Sequence, residues 1–268
     1  MKIGFLITVR LKSSRLKLKV LQPLNGFSVI ERVIQRAKQV IECSDVVLCT
    51  SQNNQDLPLI RIAQKHAVYY YNGSSEDVLQ RLLEACELFD FDYFIGMTAD
   101  NPLFSIYHAQ LLSDKIRADN SIDYIYTTGM PIGVNIYAIK TKALKTVCKI
   151  KKEIDTEIWG YLLNRPEIFN VEELKVEPHY EFNQLPRLTL DEIDDYKLFK
   201  AIYNEFDKDE IIDLLDVYTL LSNNPTYLEL NQSVQQADLD DAIKQRINHF
   251  YKANIDKILA IKKDIYHD

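Results

Sequence analysis

Apolar positions recur along this chain in two alternating rhythms. Residues 2–9, Lys-Ile-Gly-Phe-Leu-Ile-Thr-Val, form a short run rich in β-formers, as expected of a strand buried on both faces. Residues 28–40 then set Val29, Ile30, Val33, Ile34 and Ala37 at three-and-four spacing. That spacing predicts an amphipathic helix capped by Ser28, with Glu31 completing a capping box. The alternation continues with a strand over 45–50, a helix over 57–65, a strand over 68–71, a helix over 75–89 and a strand over 93–97. Repeated β and α units of this size imply right-handed crossovers and a parallel sheet covered on both sides. A further short strand is expected over 188–190, ahead of another helix.

Past residue 230 the texture changes. Residues 231–237 are polar and linker-like, and from 238 onward Ile243, Ile247, Phe250, Tyr251, Ile258 and Leu259 fall on one helical stripe. The expected organisation is a domain over 1–230 and a helical extension over 231–268. The extension is too short for a core of its own, so its stripe should lie across the domain or a subunit partner.

Composition narrows the class. The 268 residues are 47% hydrophobic and 26% charged, with 32 Lys plus Arg against 39 Asp plus Glu and a formal net charge of −7. These are the proportions of a globular protein able to bury a sizeable core without staples. The acidic balance argues against non-specific nucleic-acid binding. No apolar run approaches the roughly 18 to 20 residues of a membrane helix. The first one runs straight into Arg10, Lys12, Arg15, Lys17 and Lys19, which does not suit a secretory signal, so the expected compartment is the cytoplasm. Cys43, Cys49, Cys86 and Cys148 form no C-x-x-C pair, and the five histidines show no metal or nucleophile spacing.

In sheets of this kind ligands bind outside the carboxyl ends of the strands. There the first strand delivers five cations and two serines within residues 10–19, the strand over 93–97 delivers Asp100-Asn-Pro102, and residues 188–190 deliver Asp191. A cationic loop with separate carboxylates suits a nucleoside triphosphate and a divalent metal. Each part also has a structural reading. The loop could be a solvated basic surface, Asp100 an Asx-turn acid, and Asp191 a helix N-cap followed by the dipole-favoured Asp194 and Asp195. The chain lacks both G-x-x-x-x-G-K-[ST] and G-x-G-x-x-G and has only seven glycines, so a P-loop or dinucleotide fold is not expected.

Six motifs in order carry a resemblance: Arg10-x-x-Ser-Ser-Arg-Leu-x-x-Lys19, Gly73-x-x-Glu-Asp-Val-Leu-x-Arg81, Thr98-Ala-Asp-Asn-Pro-Leu103, Pro131-Ile-Gly133, Arg187-x-Thr-Leu-Asp191 and Asn224-Pro225. Over about residues 1–230 the chain resembles the cytidylyltransferases of the spore-coat polysaccharide biosynthesis type, relatives of the CMP-Kdo and CMP-sialate synthetases. The resemblance implies an α/β fold like that of the nucleotide-diphospho-sugar transferases: a mixed, mainly parallel sheet with helices on both faces. It implies that Arg10, Ser13, Arg15 and Lys19 hold the phosphates of CTP, that Gly73 and Arg81 lie beside the nucleotide, and that Asp100 and Asp191 hold Mg2+. Arg10, Lys19 and Asp100 would then be the catalytic residues. The implied reaction is attack by an acceptor oxygen on the α-phosphorus, in line with departing pyrophosphate. The implied assembly is a homodimer.

Departures from the family pattern concern the acceptor. Where members read R-L-P-G-K, this chain has Arg15-Leu-Lys-Leu-Lys19; a common acidic position is Tyr137; and a frequent histidine near residue 160 is replaced by Glu157. Lys17, Tyr137 and Glu157 are therefore the candidate acceptor-binding residues. The expected acceptor is a small anion, either a sugar acid or a phosphorylated metabolite such as a phosphorylated amino-acid amide on a phosphoramidate route, and the product would serve a surface or capsular polysaccharide. Two alternatives are a glycosyltransferase of the same fold, for which Asp90-Phe-Asp92 has the D-x-D spacing but precedes its strand, and a non-catalytic nucleotide-binding scaffold.

Overall fold

The computed structural model describes residues 1–12, 15–40, 45–152, 159–182, 186–236 and 239–267. A seven-stranded sheet organises them. Its strands are β1 (Ile3–Thr8), β4 (Asp45–Ser51), β5 (Tyr69–Gly73), β6 (Tyr93–Thr98), β7 (Tyr124–Thr128), β8 (Tyr137–Lys140) and β9 (Val171–Lys175), in the order β5-β4-β1-β6-β8-β7-β9. β5, β4, β1 and β6 run parallel, as do β7 and β9, while β8 is antiparallel to both its neighbours. A small hairpin, β2 (Pro23–Leu24) and β3 (Phe27–Ser28), turns through Asn25 and Gly26 at positive φ before α1 (Val29–Ala37).

Alternation along β1 explains the layering. Ile3, Phe5 and Ile7 enter one core with α1, α2 (Leu57–Lys65) and α4 (Ile106–Ala118). Leu6 enters the opposite core with α3 (Val78–Phe89) and α5 (Thr141–Ile150). Gly4 faces that second layer because the Phe91 ring occupies the space of a side chain, 2.3 Å from where its Cβ would stand. The capping box on α1 forms as its sequence predicts, with Glu31 accepting from the Ser28 amide at 2.8 Å. Two buried arginines on α1 were not read from the pattern. Arg32 donates to the carbonyls of Leu24, Asn25 and Lys208, and Arg36 to those of Phe104 and Ile212.

They tie the sheet to a third core in which Leu188, Leu190, α7 (Ile193–Asn204) and α8 (Leu214–Asn223) pack together. Residues 188–190 are buried but are not a strand. Leu188 donates to the Ile132 carbonyl at 2.8 Å and Leu190 to the Asp100 carbonyl at 2.9 Å, so the segment is strapped across the strand ends instead of joining the ladder.

The tail forms two helices, α9 (Asp241–Ala253) and α10 (Ile255–His267). Its stripe is covered by the domain itself: Ile247, Tyr251 and Ile258 belong to the second core, beside α5 and α6 (Trp159–Leu163). Leu259, expected on the stripe, is exposed, because the turn at Asn254 offsets the second helix and brings Ile265 inward instead. Asp123 locks the arrangement, accepting from Lys262 Nζ at 2.7 Å and from the Tyr266 hydroxyl at 2.6 Å. The tail therefore calls for no partner subunit to bury it. Among the described residues, no helix is long and apolar enough to cross a membrane.

Candidate active site

Four chain segments that leave β1, β4, β5 and β6 meet at the carboxyl edge of the sheet, together with the strap ending in Asp191. The basic loop after β1 begins at a buried anchor. Asp56, fully enclosed, accepts the Leu11 amide at 2.8 Å and also the Ser51 hydroxyl. This anchor escaped the sequence reading because an Asp before a helix looks like a cap. Arg10 donates from Nη1 to the Ser75 carbonyl at 2.6 Å, and Arg81 donates to the neighbouring Ser74 carbonyl at 2.7 Å.

The turn after β5 is thus held by two guanidiniums. Gly73 leaves room for one of them: a Cβ there would stand 2.7 Å from Arg81 Cγ. Arg81 is 1% exposed, so it supports the turn from beneath and does not face a ligand. Its nucleotide contact, expected from the resemblance, is corrected to a supporting position.

At the centre, Lys19 Nζ lies 2.6 Å from Asp100 Oδ2 and 2.8 Å from Asp191 Oδ1. Arg15 Nη2 reaches the same Asp191 oxygen at 2.9 Å, while Arg187 pairs with the other. Burial alone would lower the Lys19 ammonium, but the two carboxylates outweigh it and hold Lys19 above its ordinary value. Burial alone would raise the Asp191 carboxyl, and Lys19, Arg15 and Arg187 hold it below its ordinary range. Lys19 and Asp191 therefore stay charged at neutral pH.

Asp191 is not the N-cap of α7. That position is filled by Glu192, whose box partner Asp195 accepts the amides of both Asp191 and Glu192 at 2.9 Å. Asp195 does more than favour the helix dipole: fully buried, it also receives Arg187 Nε at 3.1 Å and Asn231 Nδ2 at 2.9 Å. Arg187, Asp195 and Asn231 form a rigid frame behind Asp191. Arg187 also lines a cavity of about 550 Å3 with Ile132, Pro225, Leu228, Asn231 and Gln236.

The remaining candidates divide. Lys17 is exposed on the basic loop. Tyr137 is corrected: it sits in the second core, its ring edge-on to Phe94 and filling the space over Gly96, where a Cβ would come 2.3 Å from its hydroxyl. An aromatic ring fits there because Gly96, its partner in the ladder, has no side chain. Ser13 and Glu157 lie outside the described residues. Asp90 and Asp92 lie at the amino end of β6, where Asp92 accepts the Lys2 amide at 2.7 Å, so their D-x-D spacing falls at the opposite edge from this site.

Among the described residues no group of three or more His, Cys, Asp or Glu is arranged to hold a metal. A magnesium ion does not need one, because one or two carboxylates with phosphate oxygens and water suffice. Asp100 and Asp191 fit that demand: each brings a hard oxygen donor within 2.8 Å of a single cationic centre, now the Lys19 nitrogen. Asn72 Oδ1 and Asn101 Oδ1, at the ends of β5 and β6, are buried acceptors without a partner among the described residues. The site can thus neutralise polyphosphate, hold a hard cation and accept N–H groups.

Known proteins share this arrangement of elements. A family description, Cytidylyltransferase, matches residues 5–244. The spore coat polysaccharide biosynthesis protein SpsF of Bacillus subtilis is 28% identical over 232 residues, covering 83% of this chain and 95% of its own. The solved structure of a cytidylyltransferase from Leptospira borgpetersenii superposes with a TM-score of 0.78 at 24% identity, covering 90% of this chain and all of that one. That of a CMP:2-keto-3-deoxy-manno-octonic acid synthetase complexed with CTP gives 0.61 at 15% identity, covering 76% and 99%. With a match across nearly the whole described chain, laid over a mainly parallel sheet whose carboxyl edge gathers cations around two aspartates, this protein belongs to the cytidylyltransferase family and is a nucleotidyltransferase.

Proposed function

We propose that this enzyme transfers CMP from CTP to a small anionic acceptor, a phosphorylated metabolite or sugar acid, with release of pyrophosphate and with Mg2+ held by Asp100 and Asp191. The observation that carries the reading is the Lys19 ammonium bracketed by Asp100 and Asp191, with Arg15 on the same carboxylate. An oxygen of the acceptor bonds to the α-phosphorus while the bridging oxygen to the β-phosphorus leaves with its electron pair as pyrophosphate. Arg15 and Lys19, both against Asp191, are the cations that would offset the charge of the phosphates as the bond breaks. Magnesium, when bound, supplies Lewis-acid polarisation of phosphate oxygens. Because a buried anchor fixes where the basic loop leaves the sheet and Arg187 with Asp195 frames Asp191, catalysis is mainly positioning and electrostatics.

The acceptor belongs in the cavity walled by Ile132, Arg187 and Asn231, since Arg187 joins that wall to Asp191. Lys17, exposed on the same loop as Lys19, is the other cation available to an anionic acceptor. A role in surface polysaccharide biosynthesis is suggested by the similarity to the spore coat polysaccharide biosynthesis protein of Bacillus subtilis. A homodimer completes the reading and rests on the resemblance alone, now that the tail is buried by its own domain; a cytoplasmic setting rests on the first apolar run leading straight into basic residues.

Thermal shift with CTP, UTP, ATP and GTP, each with and without magnesium, tests the nucleotide, because a ligand bound only by the native state raises the melting temperature. CTP with magnesium should give the largest shift, and pyrophosphate release should then appear with the right acceptor. A larger shift with another base would overturn the assignment of CTP.

A further inference from the structure

We propose that Lys19 is a built-in stand-in for the divalent cation: without nucleotide its ammonium bridges Asp100 and Asp191, and a metal is admitted only when a triphosphate draws that ammonium away. The inference rests on the CTP and magnesium reading above, and concerns how the two ligands are coupled.

Three observations support it. The Lys19 nitrogen touches one oxygen of each aspartate, at 2.6 and 2.8 Å, so one cation already serves both. Every carboxylate oxygen of Asp191 is in contact with a cation, Oδ1 with Lys19 and Arg15 and Oδ2 with Arg187. A divalent ion arriving there would meet repulsion from three positive charges and find both oxygens engaged.

The three cations also differ in freedom. Arg187 is fixed by Asp195, and its own carbonyl is held by Asn231 Nδ2 at 2.8 Å. Lys19 and Arg15 ride on the basic loop. Lys19 follows Leu18, which is in the left-handed region at φ 51, and opens a single 3-10 turn. They are the cations that can move, and they sit on the loop that a polyphosphate would approach.

A triphosphate offers Lys19 and Arg15 several anionic oxygens at once. Their departure would open Asp100 and Asp191 to the metal, which the phosphates then help to hold. Triphosphate and metal therefore raise each other's affinity by the same factor.

The test is Mn2+ binding to nucleotide-free protein, read by the loss of the free Mn2+ signal in electron paramagnetic resonance, for wild type, Lys19→Met, Lys19→Gln and Asp100→Asn. Omitting nucleotide avoids chelation of the metal by CTP itself. Methionine keeps the aliphatic stem without the charge, glutamine is a second neutral replacement, and melting curves taken alongside show that the variants are folded.

Both Lys19 variants should bind Mn2+ at least about tenfold more tightly than wild type, a typical size for a coupling between sites. Equal or weaker binding by the folded Lys19 variants, with Mn2+ still lost in Asp100→Asn, would overturn the stand-in while leaving the metal assignment intact. Mn2+ binding that is unchanged in Asp100→Asn would overturn the metal assignment and the stand-in together.

Discussion

The Asp56 carboxylate receives the backbone N–H of Leu11 at 2.8 Å across 45 residues of chain. That bond, with the Ser51 hydroxyl on the second oxygen, fixes where the basic loop leaves the sheet. Asp56→Ala leaves a buried amide and hydroxyl without an acceptor, which costs about 1 to 3 kcal/mol per group. With two such groups, urea unfolding should report a loss of about 2 to 6 kcal/mol. Because the loop carries Arg15 and Lys19, KM for CTP should rise by a larger factor than kcat falls.

Asp100→Asn removes one of the two negative charges around Lys19 without changing the shape of the side chain. Turnover should fall by roughly 100-fold or more, the scale seen when a preorganised electrostatic partner is lost. The melting temperature should stay near that of wild type. Pyrophosphate release and a melting curve check both, and retained turnover would make the Lys19–Asp100 pair structural.

At Gly73 the space is too small for any side chain. A Cβ would stand 2.7 Å from Arg81 Cγ and 2.8 Å from Tyr71 Cε1, so alanine must push the arginine or the turn away. Displacements of this size near a reaction centre can cost up to about 100-fold. Gly73→Ala should raise KM for CTP roughly tenfold, and steady-state kinetics at saturating acceptor would measure it.

These residues show how far the sequence could be read. The parallel units were legible because buried strands and amphipathic helices carry opposite periods, and α2 falls on the predicted bounds. The loop and both aspartates were legible because sheet topology tells which strand ends to inspect. Tyr137 was misplaced because its partner Gly96 lies 41 positions earlier in the chain, and only the ladder shows that an aromatic ring fits over it. Asp56, Asp195 and the α1 arginines were missed for a related reason. Each acts on a backbone group or side chain that folding brings near, and nothing in the local pattern marks that partner.

Acid stability offers a separate test. Glu31 is buried, which alone would raise its carboxyl. Its bonds from His66, Lys65 and Ser28 prevail and bring it to about 2 from 4.5. A folded-state value below the unfolded one means that the carboxylate stabilises the protein above about pH 4.5, and that this contribution fades as pH falls toward 2. Glu31→Gln should lower stability at pH 7 and narrow the gap to wild type through that window. Chemical denaturation at a series of pH values measures the slope.

The C-terminal helices are held at Asp123, which is 1% exposed and binds Lys262 and Tyr266. Removing that carboxylate strands the lysine and the hydroxyl. Asp123→Ala should destabilise the whole protein by about 3 kcal/mol, the cost of breaking a buried ion pair. Limited proteolysis should then cut first within residues 239–267. Cleavage elsewhere would show that the tail does not depend on this anchor.

The hydrogen bond from Leu190 to the Asp100 carbonyl has a consequence for synthesis as well as for structure. A ribosome delivers Arg10, Lys19 and Asp100 early, but the segment that sets Asp191 opposite Asp100 emerges much later, and the Asn231 side chain that braces Arg187 and Asp195 later still. Since chains fold largely in order of emergence, the sheet around β1 and α1 can form while the carboxylate pair does not yet exist. A chain that stops before residue 187 would therefore hold Lys19 and Asp100 without the aspartate that faces them, however complete its sheet.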